Sequence, residues 1–371
     1  MNTYPSVRRL GRTWPAVLPL LAGVLSLAGC NASLDVKPDA DIAPDHLFMF
    51  APITTPATPT GLQAQRVDLG RRLFYDTTLS ENNTVSCNSC HLLNRYGVDH
   101  QPTSLGHDNR LGFRNSPTVY NAALEFVQFW DGHAKDLPSQ AVGPMMNPVE
   151  MGMSGPAQVV AHVRANPAYV HDLHAAFPNA ADPVSMDTIT QSITAFEKGL
   201  LTPSRWDQYL QGDTTALTAD EKQGLQLFLR TGCASCHAGK DMGGNSYQQL
   251  GAANEWRGNQ VDRGRLQATL ESRDAMFFKV PTLRNVDQTA PYFHDGHVAT
   301  LEEAVRLMGR EQADTELSDA EIHSIVTFLH ALTGPIPTQY IQLPATTSVA
   351  AKDKSIASRG GNHRVSALGA V

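Results

Sequence analysis

The pentapeptide Cys87-Asn88-Ser89-Cys90-His91 recurs as Cys233-Ala234-Ser235-Cys236-His237, and the two copies use four of the five cysteines in this chain of 371 residues. Two thiols three positions apart reach two vinyl groups of one porphyrin, and a histidine directly after the second thiol falls under the iron. CxxCH is therefore the attachment signature of a c-type haem. A structural zinc site would want a further pair of Cys or His ligands at short spacing, and a CxxC redox pair leaves the histidine without a role. The repeat predicts a chain built twice around a covalently held haem, with His91 and His237 as proximal iron ligands.

The first thirty residues differ from the rest. Arg8, Arg9 and Arg12 precede an apolar run from Trp14 to Gly29. That run is too short and too weakly flanked to span a membrane and suits an export signal. It ends Leu27-Ala28-Gly29-Cys30 and resembles a bacterial lipoprotein signal, in which Cys30 takes the lipid and becomes the new N-terminus; the alternative is a plain signal peptide cut near Gly29. The expected location is the periplasm, with a membrane anchor only through Cys30, and c-type haem is indeed attached outside the cytoplasm. Removing residues 1–30 takes away three arginines and no acid, so the formal charge falls from −7 to −10. Such a surface favours a basic redox partner and disfavours nucleic acid.

Residues 31–60 are rich in Pro, Ala, Asp and Thr without periodicity and are expected to be a tether. A helical pattern starts after Gly61 on Leu62, Val67, Leu69, Leu73 and Phe74, and Tyr75-Asp76 ends it. A matching element precedes the second haem motif, opened by the capping box Thr218-Ala-Asp-Glu221. Gly70-Arg-Arg-Leu-Phe lines up with Gly224-Leu-Gln-Leu-Phe, so two related units stand in tandem. Residues 157–177 and 184–200 read as amphipathic helices, 239–264 as a glycine-rich loop, 301–307 as a helix, and 318–332 as a last helix capped by Ser318-Asp-Ala-Glu321. The expected fold is mostly α: two tandem cytochrome c-like helical domains, 61–203 and 204–345, the end of the second packing back on the first. Residues 346–371 have the composition of a disordered tail.

CxxCH supplies only one axial ligand, and the other face decides between electron carriage and peroxide chemistry. Here longer runs matter: Gly97-Val98-Asp99, Pro102-Thr103-Ser104, Gly106-His107, Arg114-Asn115-Ser116-Pro117-Thr118 with Asn121, Phe129-Trp130-Asp131-Gly132, Val149-Glu150-Met151, Tyr292-Phe293-His294 and Met308-Gly309. In order and spacing they resemble the bacterial dihaem cytochrome c peroxidases across about residues 60–335. The resemblance implies reduction of hydrogen peroxide with electrons from a small cytochrome c or copper protein. It makes Met308 the sixth ligand of a high-potential, electron-entry haem on His237, although a methionine near a helix end is by itself as readily core filler. It makes His107 a ligand of the first iron in the resting oxidised state that leaves on reduction of the other haem. Glu150 would then hang over the open face as the acid–base group, and Trp130 would lie between the haems. Asn115, Thr289 and Pro291 resemble the protein ligands of an interdomain Ca²⁺. Members of that family are often homodimers. Two rivals remain at this level: a dihaem enzyme that matures a protein substrate, whose branch carries tyrosine where this chain has Met308, and a dihaem electron carrier closed at both irons.

Overall fold

Two helix crossings organise the chain, and glycine permits both. In the computed structural model the described residues are Ile42, 46–258 and 260–343. The export signal, Cys30 and the 346–371 tail lie outside them. The helices are α1 (Gly61–Tyr75), α2 (Cys87–Cys90), α3 (Leu137–Met146), α4 (Pro156–Arg164), α5 (Pro167–Ala176), α6 (Met186–Glu197), α7 (Arg205–Leu210), α8 (Ala219–Arg230), α9 (Leu266–Thr269), α10 (Leu301–Leu307), α11 (Asp319–His330) and α12 (Thr338–Ile341). The strands β1 (Tyr247–Gln249) and β2 (Phe277–Lys279) pair antiparallel, with Gln248 opposite Phe278. Helix α1 crosses α6 at Gly70, where a Cβ would lie 1.8 Å from the Ser192 carbonyl oxygen; α8 crosses α11 at Gly224, where a Cβ would lie 1.9 Å from that of Ser324. No side chain fits either gap.

The helices begin where side chains absorb the free N–H groups of the first turn. Reciprocal capping boxes form at Ser185/Thr188, Ser204/Asp207, Thr218/Glu221 and Ser318/Glu321, and those at Thr218 and Ser318 start α8 and α11 where the sequence pattern puts them. The single helix expected over 157–177 is two. Pro167 has no N–H to continue α4, and Asn166 accepts from the Ala168 N–H and opens α5 afresh.

Each crossing seeds its own core. Val67, Leu69, Leu73 and Phe74 of α1 meet Ile189, Ile193 and Phe196 of α6, while Leu225, Leu227 and Phe228 of α8 meet Ile322, Ile325 and Phe328 of α11. Each such side chain contributes roughly 1.5–3 kcal/mol by leaving water. The last described residues return to the first core, where Tyr340 stacks on Phe196 at 5.3 Å and Ile341 is buried. The described part of 31–60 does not act as a tether. Ile42 and Phe50 belong to the second core, Phe50 packs edge-on to Trp206 at 5.3 Å, and the Ile53 N–H donates to Asp207 at 2.6 Å. Its few apolar residues, diluted among Pro, Ala and Thr, suffice to dock it.

Candidate active site

One helical turn makes each haem motif. Ser86 and Ser89 cap α2, and the His91 N–H donates to the Cys87 carbonyl at 3.0 Å, bringing both thiols to one side. The second copy does the same in a 3₁₀ turn, with the His237 N–H on the Cys233 carbonyl at 3.0 Å. His91 Nδ1 lies 3.3 Å from the Gly97 carbonyl and His237 Nδ1 3.3 Å from the Met242 carbonyl, contacts that orient each ring. Burial pushes both imidazoles down, His237 to about 4, so both are neutral, the form that ligates a metal.

Cys87, Cys90 and His91 face a cavity of about 590 Å³. Cys233, Cys236 and His237 face another of about 230 Å³. All four thiols are free. Two free thiols and a neutral, oriented imidazole on the wall of a largely apolar cavity are the donor set of a covalent haem, and it occurs twice.

The two halves share more than their haem motifs. Phe129 and Phe293 both have positive φ, as do Gly132 and Gly296 and also Asn121 and Asn285. Gln128 bridges to Ala134 as Tyr292 bridges to Val298. His133 Nδ1 pairs with Asp131 as His297 Nδ1 pairs with Asp295, each at 2.6 Å. Every one of these pairs spans the same interval in sequence. Carried onward through α3 and α10, that register sets Pro144 of the first half against Met308 of the second. Pro144 lines the first cavity and Met308 the second. The structure thus brings Met308 to the cavity of His237 and puts a side chain with no donor atom at the equivalent place in the cavity of His91. The repeated Phe-x-Asp-Gly-His, at 129–133 and 293–297, is the sequence signal that could have found Pro144.

Glu150 lines the first cavity. Its Oε1 accepts from Asn147 Nδ2 at 2.7 Å; burial raises its pKa, and the Asn147 hydrogen bond and nearby His133 offset part of that rise. His107 is buried but does not line the cavity: its Nε2 donates to the Pro148 carbonyl at 2.7 Å and its backbone N–H to the Glu150 carbonyl at 2.7 Å. The loops carrying His107 and Glu150 are therefore fastened together. Gly106 and Gly152 allow it, since a Cβ would lie 1.9 Å from the Val149 carbonyl oxygen at one and 2.4 Å from His107 Nε2 at the other. Trp130 lines both cavities and donates through Nε1 to the Asn115 carbonyl at 2.9 Å. Asn115, Pro117, Thr118, Glu125 and Lys279 complete this shared wall.

Residues 64–215 match the di-haem cytochrome c peroxidase family and residues 221–333 the cytochrome c family. The chain is 42% identical to the cytochrome c551 peroxidase of Pseudomonas aeruginosa over 341 residues, 89% of this chain and 96% of that one. It is 44% identical to the cytochrome c551 peroxidase of Nitrosomonas europaea over 288 residues, 77% of this chain and 85% of that one. The chain belongs to the di-haem cytochrome c peroxidase family. Among solved structures, a MauG-like protein associated with microbial copper homeostasis matches with a TM-score of 0.67 at 30% identity, covering 79% of this chain and 96% of that one. Family membership and the two donor sets agree on two c-type haems.

In this di-haem peroxidase family chain the ion pair Glu125–Lys279, buried in the wall between the cavities, is a feature that sequence reasoning missed. It joins residues far apart in the chain and leaves no local pattern. Asn115, Thr289 and Pro291 all line the second cavity; Asn115 donates through Nδ2 to the Gln101 carbonyl at 3.0 Å, and Thr289 Oγ1 donates to the Val286 carbonyl at 3.2 Å. Among the described residues no group of three or more His, Cys, Asp and Glu side chains is placed to hold a metal ion.

Proposed function

We propose that this protein reduces hydrogen peroxide to water, taking two electrons from a small redox protein, a cytochrome c or a copper protein, and two protons from solvent. The observation that carries this reading is the asymmetry of the repeat: methionine facing one cavity, proline with a nearby carboxylic acid facing the other. Cys233, Cys236, His237 and Met308 would hold one haem and Cys87, Cys90 and His91 the other, and the pair would supply the redox chemistry, electron entry at the first-named site and peroxide reduction at the second. Glu150 takes the proton from the near oxygen of peroxide and returns it to the departing one, a task suited to a carboxyl whose burial lifts its pKa. Asn147 holds that carboxyl in place. Trp130, in the wall common to both cavities, shortens the route between them. His107 would be the resting ligand of the haem held by His91, and because its loop is fastened to that of Glu150, any displacement of His107 would also move the acid.

A Ca²⁺ on Asn115, Thr289 and Pro291, through amide and carbonyl oxygens, would tie the halves together. The chain acts in the periplasm, anchored by lipid at Cys30; no helix among the described residues is long and apolar enough to cross a membrane. Methionine at 308 speaks against the protein-maturing branch of the family, which carries tyrosine there. The deciding experiment mixes half-reduced enzyme, both haems loaded, with peroxide and reduced cytochrome c. Turnover is expected, and its absence would reject the assignment. Electron paramagnetic resonance of the oxidised and half-reduced forms reads the axial ligands directly.

A further inference from the structure

Besides Glu150, the first cavity holds a buried carboxyl that the proposed peroxide chemistry does not use. Glu197, the last residue of α6, lines the cavity beside Phe74, Cys87 and Ile193 and is 5% exposed. Its Oε2 is buried without a hydrogen-bond partner. Burying a carboxyl oxygen without a partner is costly, and the molecule contains its own control for whether the fold needs an acid there. Ser192 and Ser324 sit at the two helix crossings, and the N–H groups of the equivalent residues Asn121 and Asn285 donate to Leu200 and Leu332. In that register Ile193 matches Ile325, Phe196 matches Phe328, and Glu197 matches Leu329, which lines the second cavity. The same crossing is built with leucine on the electron-entry side and with an acid on the peroxide side.

We propose that Glu197 is a redox-linked proton site: its carboxylate takes one proton from water as the haem on His91 gains one electron from the donor chain, and returns it when that haem is oxidised. A carboxylate in a low-dielectric wall favours the more positive, oxidised iron, and the neutral acid favours the reduced one. Uptake of one proton with one electron keeps the charge inside the cavity unchanged.

Burial alone pushes Glu197 up to about 8. The titratable groups on the elements packed against α6 are occupied elsewhere: Arg66 on the Ala176 carbonyl, Arg71 and Arg72 on Asp68, Arg72 also on Asp172, Tyr75 on the Ile341 carbonyl, His162 on the Thr78 carbonyl and Arg164 on Asp182. Helix α3 carries no titratable residue, the Tyr340 hydroxyl donates to the Phe196 carbonyl, and Cys87 is consumed in the thioether link.

The inference rests on haem attachment at Cys87 and Cys90, not on peroxide turnover. The test is the midpoint potential of each haem in the full-length holoenzyme, measured from about pH 6 to about pH 9.5 so as to bracket the raised pKa, in wild type, Glu197→Gln and Glu197→Leu. Wild type should show a first-haem potential falling by up to about 59 mV per pH unit, one proton per electron. Both variants should lose that segment and lie above wild type at alkaline pH, with the second haem unchanged. Redox-difference infrared spectra should show a protonated-carboxyl band in wild type that is missing in the variants. Glu150, His133, Asp131, Arg114 and Lys279 also line the cavity, but they persist in every variant, so the difference isolates Glu197. Should the leucine variant not fold, the near-isosteric glutamine variant decides. A glutamine variant with both haems loaded that keeps the wild-type slope and the carboxyl band overturns the inference, even if it turns over peroxide normally.

Discussion

Glu150 and Asp131 show how one cavity pushes two carboxyls in opposite directions. Burial raises Glu150, with only Asn147 and the neighbourhood of His133 to offset it. As a base it must be ionised, so kcat/KM should fall as pH drops through its raised pKa, and Glu150→Gln should lose that acid limb together with about 10²–10⁴ in kcat while both haems stay bound. Steady-state peroxide reduction across pH measures this. Burial also opposes ionisation of Asp131, but hydrogen bonds from His133 and Arg114, at 2.6 and 2.8 Å, outweigh it and hold the carboxyl at about 2. A folded-state pKa below the unfolded one stabilises the protein above the unfolded value and loses that contribution as pH falls toward the folded one. Asp131→Asn should therefore cost on the order of 2 kcal/mol near neutral pH, a cost that shrinks as pH falls toward about 2, as read by urea unfolding at several pH values. Both residues stood in runs readable from the sequence. Their opposite shifts did not, because the partners that set them come together only in the fold.

At the scale of elements, α3 and α10 are copies in one register with opposite consequences. Pro144 lies inside α3 and Met308 directly follows α10. Pro144→Met should put a thioether opposite His91, cap that iron and abolish cyanide binding to the first haem after partial reduction, leaving the second haem's spectrum as it was. The capping boxes of α8 and α11 were readable because a box needs only residues three apart. The break between α4 and α5 was carried by Pro167, and the apolar periodicity running through it masked the signal. The docking of Phe50 and Ile53 had no local signature at all.

Across the whole molecule, the halves meet on a symmetric pin. Asn121 and Asn285 both donate through Nδ2 to the Thr202 hydroxyl, at 3.0 and 2.9 Å, and all three residues are buried. Thr202→Val keeps the shape but strands two amide donors at about 1–3 kcal/mol each; calorimetry of the holoenzyme should show a lowered Tm. Arg114 reinforces the contact by holding Asp131 of the first half and Asp262 of the second, at 2.8 and 2.6 Å. The sequence by itself determined that the chain carries two haem-attachment motifs and where the capped helices begin, because each of those is a chemical event within one turn of chain. Tertiary structure decided what shares each cavity with its haem motif: it brings Met308 to one cavity and Pro144 with Glu150 to the other, and it alone puts an acid or a leucine on the flanking wall. Those residues arrive from separate elements, and only the close crossing of helices at Gly70 and Gly224 sets the register that brings them there.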